Sequence, residues 1–257
     1  MRLKDKVVVL TGATKGIGRG VGAMLVGEGA LLVAAGRSAG DGEALVAEAE
    51  AIRPGSAVFV KGDICDEAYC EALIEETVAR FGRVDGLVNN AGIFPVVPFD
   101  ETDSVTFDSV YAVNARGAFM CSKFAIRRMA ENGGGSIVHI GSTHAFGASP
   151  AYSAYGVSKG ALFSLSSFIA KNYAKSRIRS NWITVGWVET ELEYSRMLSR
   201  GLDKAAANEF AGRMLPLAGA MQTAADVAYG VIYLLSDESA TVTESDLRIT
   251  GGFVPGH

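Results

Sequence analysis

Short apolar runs alternate with longer amphipathic segments along the whole chain, and this alternation restricts the fold more than any other feature. Runs of about four to eight apolar residues are typical of buried strands, and the segments between them have helical spacing. The candidate strands cover residues 7–10, 31–35, 57–60, 84–88, 136–140, 178–185 and 247–250. Their near-continuous apolarity is typical of parallel strands covered on both faces. The sequence therefore predicts an α/β fold, a doubly wound seven-stranded parallel sheet with helices on both faces.

Size and composition fit a single domain over residues 1–257. The chain has 257 residues, 49% of them hydrophobic, which is enough to bury one sizeable core. Lys plus Arg number 24 and Asp plus Glu 28, without a long run of either sign, so we expect no nucleic-acid partner. The first apolar run, at 7–10, is too short for a signal peptide or a membrane span. We therefore expect no membrane partner and a cytoplasmic location.

The cysteines and histidines indicate no metal site. The cysteines have no CxxC spacing, and the histidines have no HExxH spacing on a helix. We expect the cysteines to be reduced and structural. These residues are Cys65, Cys70, Cys121, His139, His144 and His257.

A glycine-rich turn follows the first strand, where residues 11–18 are Thr-Gly-Ala-Thr-Lys-Gly-Ile-Gly. Glycines let the backbone approach a pyrophosphate, and the N-terminus of the following helix supplies free N–H groups. An ordinary strand-to-helix turn has a similar composition, so the turn alone leaves both interpretations open. Its position in the first βα unit favours a dinucleotide.

Tyr155 and Lys159 are spaced i,i+4 in a helical segment, which places them on the same side of the helix. Reduction of a carbonyl needs a proton donor, and an unperturbed phenol titrates near ~10. A neighbouring ammonium group would favour the phenolate and lower the pKa of the tyrosine. In an arbitrary helix such a pair is an ordinary surface pair, so its meaning depends on the rest of the chain.

The motifs together resemble the short-chain dehydrogenase/reductase family over essentially the whole chain. The glycine spacing is Gly-x-x-x-Gly-x-Gly, and the other motifs follow in order at the predicted strand ends. They are Asp63, the Asn-Asn-Ala-Gly sequence at 89–92, Asn114, Ser142, Tyr155-x-x-x-Lys159, and the segment from Gly186 to Thr190. Each motif is short, but the ordered set is specific.

The resemblance implies four catalytic residues, Asn114, Ser142, Tyr155 and Lys159. Tyr155 would be the general acid/base, Lys159 would also bind the nicotinamide ribose, and Ser142 would hold the substrate oxygen. Asn114 would hold a water in a proton relay from Lys159 to solvent. From the residues alone, Ser142 is equally a capping serine and Asn114 a buried structural amide.

The same resemblance implies a nicotinamide cofactor and the residues that contact it. We assign contact in the fourth-strand motif mainly to Asn89, and Asp63 would bind the adenine. The expected contacts are Gly12, Thr14, Lys15, Gly16, Ile17, Gly18, Arg37, Ser38, Asp63, Ile64, Asn89, Ala91, Gly92, Tyr155, Lys159, Gly186, Val188 and Thr190. Arg37 and Lys15 could meet a 2′-phosphate where NAD enzymes usually carry an acid. We therefore expect NADP(H) to be preferred, with NAD(H) possible; both cations could also be plain surface residues.

The substrate is expected to be a small, hydrophobic or cyclic carbonyl compound or alcohol. A substrate-binding loop at about 187–217 and aromatic side chains would line its pocket. The pocket residues are Phe94, His144, Tyr152, Trp187 and Tyr194. The family pattern is broken at Val185, Glu244 and Thr250, where Pro, Gly and Asp are usual.

Three functions remain open, led by an NAD(P)-dependent ketone reductase or alcohol dehydrogenase. The second is a 3-oxoacyl carrier-protein reductase, whose acidic partner would need a basic surface such as Arg127, Arg128 and Arg179. The third is a non-catalytic NADP-sensing or scaffold protein of the same fold. The family commonly forms tetramers, so we expect a homotetramer.

Overall fold

Seven parallel strands form one sheet in the computed structural model. The structure describes residues 1–147 and 149–253, so Ala148 and residues 254–257, with His257, lie outside the described residues. The strands are β1 Val7–Thr11, β2 Leu31–Gly36, β3 Ala57–Lys61, β4 Gly86–Asn89, β5 Gly135–Ile140, β6 Ile178–Val185 and β7 Asp246–Ile249. Their order across the sheet is β3-β2-β1-β4-β5-β6-β7. The predicted doubly wound α/β fold is confirmed.

The predicted strand positions agree with the structure to within one or two residues at each end. The largest difference is at β4, predicted to begin at 84 but observed to begin at Gly86. Asp85 accounts for it, because its carboxylate accepts a hydrogen bond from the Val7 N–H (2.9 Å) at the start of β1. The side chain therefore takes part in the pairing that the backbone of a longer strand would have made.

Helices cover both faces of the sheet. They are α1 Gly16–Gly27, α2 Ala39–Ile52, α3 Glu67–Phe81, α4 Ser104–Tyr111, α5 Ala118–Glu131, α6 Ser153–Tyr173, α7 Glu191–Ser199, α8 Lys204–Met214 and α9 Ala224–Leu235. Helices α1, α2 and α9 pack on one face around Leu10 and Leu32. Helices α3, α5 and α6 pack on the other around Val9 and Leu87. Alternate β1 residues thus face opposite cores, as an internal parallel strand requires.

The strand order reverses beside β1, which pairs with β2 on one side and with β4 on the other. The chain leaves β1 for the β2–β3 half of the sheet and returns through α3 to β4 on the opposite side. A crevice opens at such a point beyond the carboxyl ends of the strands, and ligands of doubly wound sheets bind there. The glycine turn and the segment after β4 both lie at this crevice.

Glu244 stands where the resemblance leads us to expect glycine, and its backbone has a φ of 59°. This left-handed conformation is costly for a residue with a Cβ atom. The Glu244 carboxylate accepts hydrogen bonds from the Ser167 hydroxyl (2.7 Å) and pairs with Lys171 (2.7 Å). These contacts tie the loop before β7 to α6 and offset part of the backbone strain.

Within residues 1–147 and 149–253, no helix has the length and apolarity to cross a membrane. The same residues contain no cluster of three or more side chains that could hold a metal ion. Cys65, Cys70 and Cys121 are free thiols.

Candidate functional site

The glycine turn wraps closely around the end of β4. Gly12 has a φ of 63°, and a Cβ added there would come within 2.7 Å of the Ala91 Cα. A Cβ on Gly18 would come within 2.1 Å of the Gly12 carbonyl oxygen. Neither position tolerates a side chain, since the nearest atoms belong to the backbone. The turn is therefore held in a shape that only glycine permits.

Helix α1 begins in this turn with its N-terminal amides free of side-chain caps. Lys15 is the N-cap residue, its side chain makes no capping hydrogen bond, and the first turn of the helix has no acidic residue. Free N–H groups and the helix dipole favour an anion at this end. The predicted contacts Gly12, Gly16 and Gly18 thus form a cradle that fits the pyrophosphate of a dinucleotide.

Asn90 fixes the turn in place, a role that the sequence analysis missed. Its side-chain nitrogen donates to the carbonyl oxygens of Thr11 (2.9 Å) and Gly12 (3.0 Å). The Thr11 hydroxyl accepts hydrogen bonds from the backbone N–H groups of Asn90 and Ala91, both at 3.1 Å. The adjacency of β1 and β4 could have suggested this contact, because it brings residue 90 beside the turn.

Asn89, to which we assigned the main cofactor contact, has its side chain inside the sheet. The amide nitrogen donates to the Ser122 hydroxyl (2.9 Å) and lies 3.3 Å from Nδ1 of His139. Its Oδ1 atom is buried without a partner among the described residues. Any contact of Asn89 with a cofactor is therefore left to its backbone.

Ser142, Tyr155 and Lys159 come together at the carboxyl end of β5. Tyr155 and Lys159 lie one turn apart on α6, and the Lys159 Nζ is 5.7 Å from the centre of the Tyr155 ring. Nζ donates to the Ile140 carbonyl oxygen (2.7 Å), which fixes the buried side chain against β5. Ser142 follows β5, and its hydroxyl acts to lower the pKa of the Tyr155 phenol. The structure thus places a hydroxyl, a phenol and an ammonium group in one place.

Asn114 completes the group from a π-helical turn, Ala112–Gly117, between α4 and α5. Its Oδ1 accepts from the Ile93 N–H (2.8 Å), and its Nδ2 donates to the Ile93 carbonyl oxygen (2.8 Å) and to the Ser158 hydroxyl (3.0 Å). A Cβ on Gly92 would lie 3.4 Å from Asn114 Oδ1 and 3.8 Å from Lys159 Nζ. Asn114 therefore joins α6 to the segment after β4 beside Lys159, as π-helical turns at functional sites often do.

Burial controls the protonation of the site in this structure. Desolvation raises the pKa of Tyr155 to about 12, and the hydrogen bond with Ser142 offsets part of the increase. Desolvation also lowers the pKa of Lys159 to about 8. Lys159, which we expect to lower the pKa of the phenol, directs its Nζ to the Ile140 carbonyl oxygen, and Nζ lies 5.7 Å from the centre of the Tyr155 ring. The neutral phenol is instead the favoured form of Tyr155.

The predicted adenosine contacts lie beyond β2 and β3. Arg37 is exposed and lies 3.8 Å from the Asp63 carboxylate. Asp63 also accepts from the Cys65 N–H (2.9 Å), and Ile64 is buried against α5. Ser38 is the N-cap residue of α2.

Asp41, which the sequence analysis did not single out, faces Lys15, one of the two residues expected to bind a 2′-phosphate. Its carboxylate lies 3.3 Å from Lys15 Nζ. Hydrogen bonds from Ser38 and Lys15 lower its pKa. The region thus has cations, but each of them is paired with a carboxylate.

Gly186, Val188 and Thr190 follow β6 as predicted. A Cβ on Gly186 would come within 2.9 Å of the Thr250 backbone, so this glycine is also required by close packing. Val188 is buried and pairs with Gln222. The Thr190 hydroxyl accepts from the Glu193 N–H (3.1 Å) and caps α7, while its methyl group faces Gly16 in the glycine turn. These residues therefore close the crevice from the β6 side.

Three of the five predicted pocket residues surround Tyr155. The ring of Phe94 lies 5.7 Å from that of Tyr155, and the ring of His144 lies at the same distance. Tyr152 packs on His144 at 4.9 Å. The His144 N–H also donates to the Ser142 hydroxyl (3.2 Å).

The other two, Trp187 and Tyr194, belong to a small core between α7 and α8. They pack with Met197, Ala207, Ala211 and Met221. The Tyr194 hydroxyl donates to Glu189 (2.7 Å), and the Trp187 indole N–H donates to Glu193 (3.0 Å). They therefore shape the segment that covers the site.

A cavity of about 400 Å³ lies between the segment after β4, α4 and α7. Phe94, Thr106, Leu192 and Arg196 are among the residues that line it. Tyr155 and Ser142 are not among the lining residues, and Phe94 connects the cavity to the Tyr155 ring. Most of the lining surface is apolar. Glu193 and Arg196 were not singled out by the sequence analysis, because charged residues on an amphipathic helix are usually solvated.

Comparison with known proteins agrees with this geometry. The family model described as short chain dehydrogenase matches residues 6–200. The chain belongs to the short-chain dehydrogenase family. It is accordingly an oxidoreductase that acts on CH–OH or C=O groups, and the family implies a nicotinamide cofactor.

Relatives in the family match the chain over nearly its full length. A 2,5-dichloro-2,5-cyclohexadiene-1,4-diol dehydrogenase of Sphingobium indicum is 34% identical over 98% of both chains. A 3-oxoacyl-[acyl-carrier-protein] reductase of Thermotoga maritima is 32% identical over 99% of this chain and all of its own. The crystal structure of levodione reductase is similar with a TM-score of 0.91, at 32% identity and 98% coverage of each chain.

Proposed function

We propose that this short-chain dehydrogenase transfers a hydride between NADP(H) and the carbonyl or secondary-alcohol carbon of a small, uncharged, hydrophobic or cyclic substrate. The observation that carries the proposal is the meeting of Ser142, Tyr155, Lys159 and Asn114 beside the glycine cradle. A substrate oxygen at this place would contact a hydroxyl and a phenol, and an ammonium group lies within one helical turn of the phenol.

Tyr155 would supply the proton in the direction of reduction. When bound, the nicotinamide supplies the hydride, and the substrate oxygen that gains negative charge takes the proton from the neutral phenol. Ser142 would hold that oxygen by a hydrogen bond. Lys159 would favour the phenolate that is left, and Asn114 would keep Lys159 connected to the segment after β4. The high pKa of Tyr155 keeps the phenol protonated before the step.

Arg37 and Lys15 support the preference for NADP(H). Both side chains are exposed, one just after β2 and the other in the glycine turn, where we expect the ribose 2′-phosphate to bind. Asp63 and Asp41 neutralise them in this structure. A 2′-phosphate would exchange these weak, exposed pairs for charge-assisted bonds. NAD(H) remains a possible second cofactor.

The kinetics with NADPH and NADH test the cofactor preference. We expect kcat/KM with NADPH to exceed that with NADH in the purified protein.

Arg37→Ala should weaken NADPH binding about tenfold, the value of one charge-assisted hydrogen bond, and leave NADH binding unchanged. Asp41→Asn should instead tighten NADPH binding, since it removes a charge that repels phosphate. Binding is measured by the fluorescence of the reduced cofactor, with Arg213→Ala on exposed α8 as the control.

A wild-type kcat/KM with NADH equal to or above that with NADPH would reject the preference for NADP(H). Failure of NADPH to be oxidised with any ketone in a broad panel, despite binding, would instead favour a sensing or scaffold function. The two results separate the cofactor question from the question of catalysis.

The apolar cavity and the named relatives support a small cyclic substrate. The Sphingobium relative is named for a cyclohexadiene diol, and rings of this size fit a cavity of about 400 Å³. A panel of cyclic and linear ketones, followed by NADPH absorbance, tests the substrate class. We expect the highest kcat/KM with an uncharged cyclic ketone.

Reduction of a 3-oxoacyl carrier protein is the second candidate, favoured by the Thermotoga relative of that name. The basic surface that it would need is weak. Arg128 is paired with Glu75 and Glu131, and Arg179 is partly buried and donates to the carbonyl oxygens of Leu234 and Val242. We therefore rank it below the small-molecule reductase.

A further inference from the structure

Helix α7 carries an ion pair that reaches both sides of the site. The Glu193 carboxylate accepts hydrogen bonds from the Trp187 indole N–H and from Arg196 Nη1, both at 3.0 Å. Arg196 Nη2 donates to the Phe94 carbonyl oxygen (2.9 Å). A continuous chain of hydrogen bonds therefore runs from the segment after β6, through α7, to the segment after β4. We call Trp187, Glu193, Arg196 and Phe94 the bridge.

The bridge is more sheltered than a typical surface ion pair. The exposed fractions of the side chains are 14% for Glu193 and 22% for Arg196. The Arg196 guanidinium also lies 4.3 Å from the centre of the Phe94 ring, an attractive cation–π geometry. Each partner makes at least two polar contacts, so solvent screening and side-chain entropy weaken the pair less than they weaken an exposed one.

Phe94 connects the bridge to the reacting group. Its backbone oxygen accepts a hydrogen bond from Arg196, and its ring centre lies 4.3 Å from the guanidinium and 5.7 Å from the centre of the Tyr155 ring. Phe94 also lines the cavity of about 400 Å³. A change in Arg196 would therefore move a wall of the cavity relative to Tyr155.

The charge of the bridge is internally balanced. Among the described residues that line the cavity, Arg196 is the sole charged one, and Glu193 neutralises it. Of the charged groups nearby, Glu189 accepts from the Tyr194 hydroxyl, and Lys159 is buried against Ile140. A substrate carboxylate in the cavity would have to displace Glu193 from Arg196 or lie beside it, and like charges at that distance repel.

We propose that Glu193 and Arg196 are positioning and specificity-determining residues, which fix Phe94 as the pocket wall and restrict the site to uncharged carbonyl substrates. The proposal rests on the proposed ketone-reductase function and refines its substrate class. Glu193 acts by cancelling the charge of Arg196, and Arg196 acts by holding the segment after β4 through Phe94.

Replacement of Glu193 tests the charge selection. The probes are cyclohexanone and 4-oxocyclohexane-1-carboxylate, which have the same ring. We expect wild-type kcat/KM to favour cyclohexanone, and Glu193→Gln to shift the ratio at least tenfold toward the carboxylate, mainly through a lower KM. An unchanged ratio would overturn the charge selection.

Replacement of Arg196 tests whether this residue holds Phe94 in place as a wall of the cavity. Arg196→Met should raise KM for cyclohexanone several-fold with kcat within about twofold of wild type, because the chemical groups on α6 stay in place. Arg196→Lys keeps the positive charge but lacks the planar guanidinium that donates to Glu193 and Phe94 at once. This variant should therefore keep the preference for uncharged substrates and still show a raised KM. The positioning role would be overturned if both variants changed kcat equally and left KM unchanged, or if neither variant changed KM.

The ion pair between Arg213 and Glu209 on α8 is the matched control. It also lies on a helix near the site, but its side chains are 73% and 71% exposed and contact only each other among the described residues. Arg213→Met and Glu209→Gln should leave the KM values and the substrate ratio unchanged. A shift as large as that in the bridge variants would show that both effects are non-specific.

Two measurements that need no turnover separate this proposal from the proposed function. Hydrogen exchange should become faster at residues 93–97 in Arg196→Met and stay unchanged in Arg213→Met. Cyclohexanecarboxylate, which has no carbonyl to reduce, should bind Glu193→Gln about tenfold more tightly than wild type by calorimetry with NADP⁺ present. If wild type reduces no ketone, the proposed function is wrong, and these two measurements still test the role of the bridge. If hydrogen exchange and ligand affinity are both unchanged in the variants, the role of the bridge is wrong whatever the activity.

Discussion

Tyr155 combines a phenol that is protonated at neutral pH with a position one helical turn from the Lys159 ammonium group. Desolvation holds the pKa of Tyr155 at about 12, while the Lys159 Nζ lies 5.7 Å from the ring centre. A donor in this state delivers a proton only when a developing negative charge is beside it. Tyr155 would therefore keep its proton until hydride transfer places negative charge on the substrate oxygen.

Tyr155→Phe should therefore lower kcat at least about a hundredfold, within the range for loss of a general acid, and change NADPH affinity less than twofold. The ring and its packing on Phe94 and His144 are retained, so the hydroxyl alone is removed. Stopped-flow hydride transfer and cofactor fluorescence measure the two effects. Tyr152→Phe, one ring further out, is the control and should retain most activity; substantial turnover in Tyr155→Phe would reject the assignment.

The sequence could place these residues on one side of a helix, but it could not give the environment of each. The i,i+4 spacing predicts the proximity of Tyr155 and Lys159, since helix geometry depends on the backbone alone. The direction of Nζ toward Ile140 and the desolvation that raises the pKa of the phenol both depend on how α6 packs in the fold. The sequence also could not show which of the adjacent residues Asn89 and Asn90 faces the core and which faces the glycine turn. Their opposite orientations follow from strand alternation at the end of β4.

At the scale of an element, β5 carries a buried polar group directly before the site. His139 is fully buried, its Nδ1 lies 3.3 Å from the Asn89 side-chain nitrogen, and its Nε2 lies 3.3 Å from the Ser180 hydroxyl. Desolvation, with a smaller effect of the Lys159 charge, lowers the pKa of His139 to about 3. The folded protein therefore keeps this imidazole neutral.

Stability should fall as the pH drops below the ordinary histidine pKa. Between pH ~6.5 and the folded pKa of about 3, the unfolded chain takes up a proton that folded His139 does not, so protonation favours unfolding. This effect costs roughly 1.4 kcal/mol for each pH unit, or about 2 kcal/mol at pH 5. Urea unfolding at pH 7.5 and 5 measures it.

His139→Gln should remove most of this pH dependence, even if the variant is less stable at pH 7.5. His144→Gln is the matched control: burial also lowers the pKa of His144, but this imidazole is only half-buried and should account for a smaller part. The same pH dependence in His139→Gln as in wild type would mean that other groups carry it.

The elements themselves were predictable because apolar runs and glycine turns are local signals. The predicted bounds of most strands differ from the observed ones by one residue at an end, and the largest difference is at β4, where the Asp85 carboxylate accepts from the Val7 N–H. The bridge on α7 could not be predicted, because Glu193 and Arg196 at i,i+3 also fit an ordinary solvated helix face. Phe94 lies 102 residues before Arg196 and becomes its neighbour only in the fold.

At the scale of the whole molecule, an apolar surface runs along α5 and α6. Phe119, Val157 and Phe168 are among its exposed side chains. A groove of about 360 Å³ between the helices is lined by Phe119, Leu165 and Phe168. Contiguous apolar surface of this kind marks an interaction site more often than a solvated face. We propose that the α6 part of this surface is covered in the homotetramer that we expect from the family resemblance.

Phe168→Glu should therefore shift the protein to a smaller assembly, because a carboxylate buried between apolar helices has no partner and carries a large desolvation cost. Light scattering coupled to size-exclusion chromatography measures the mass of the assembly.

Ile52→Glu is the matched control: Ile52 and Phe168 are both 53% exposed, but Ile52 ends α2, away from the α5–α6 surface. An equal shift in both variants would point to general destabilisation, and a wild type that is monomeric at micromolar concentration would reject the assembly. A smaller Phe168→Glu species that still reduces ketones would show that one subunit supplies the whole site, since the bridge, the glycine cradle and Tyr155 all lie within one chain.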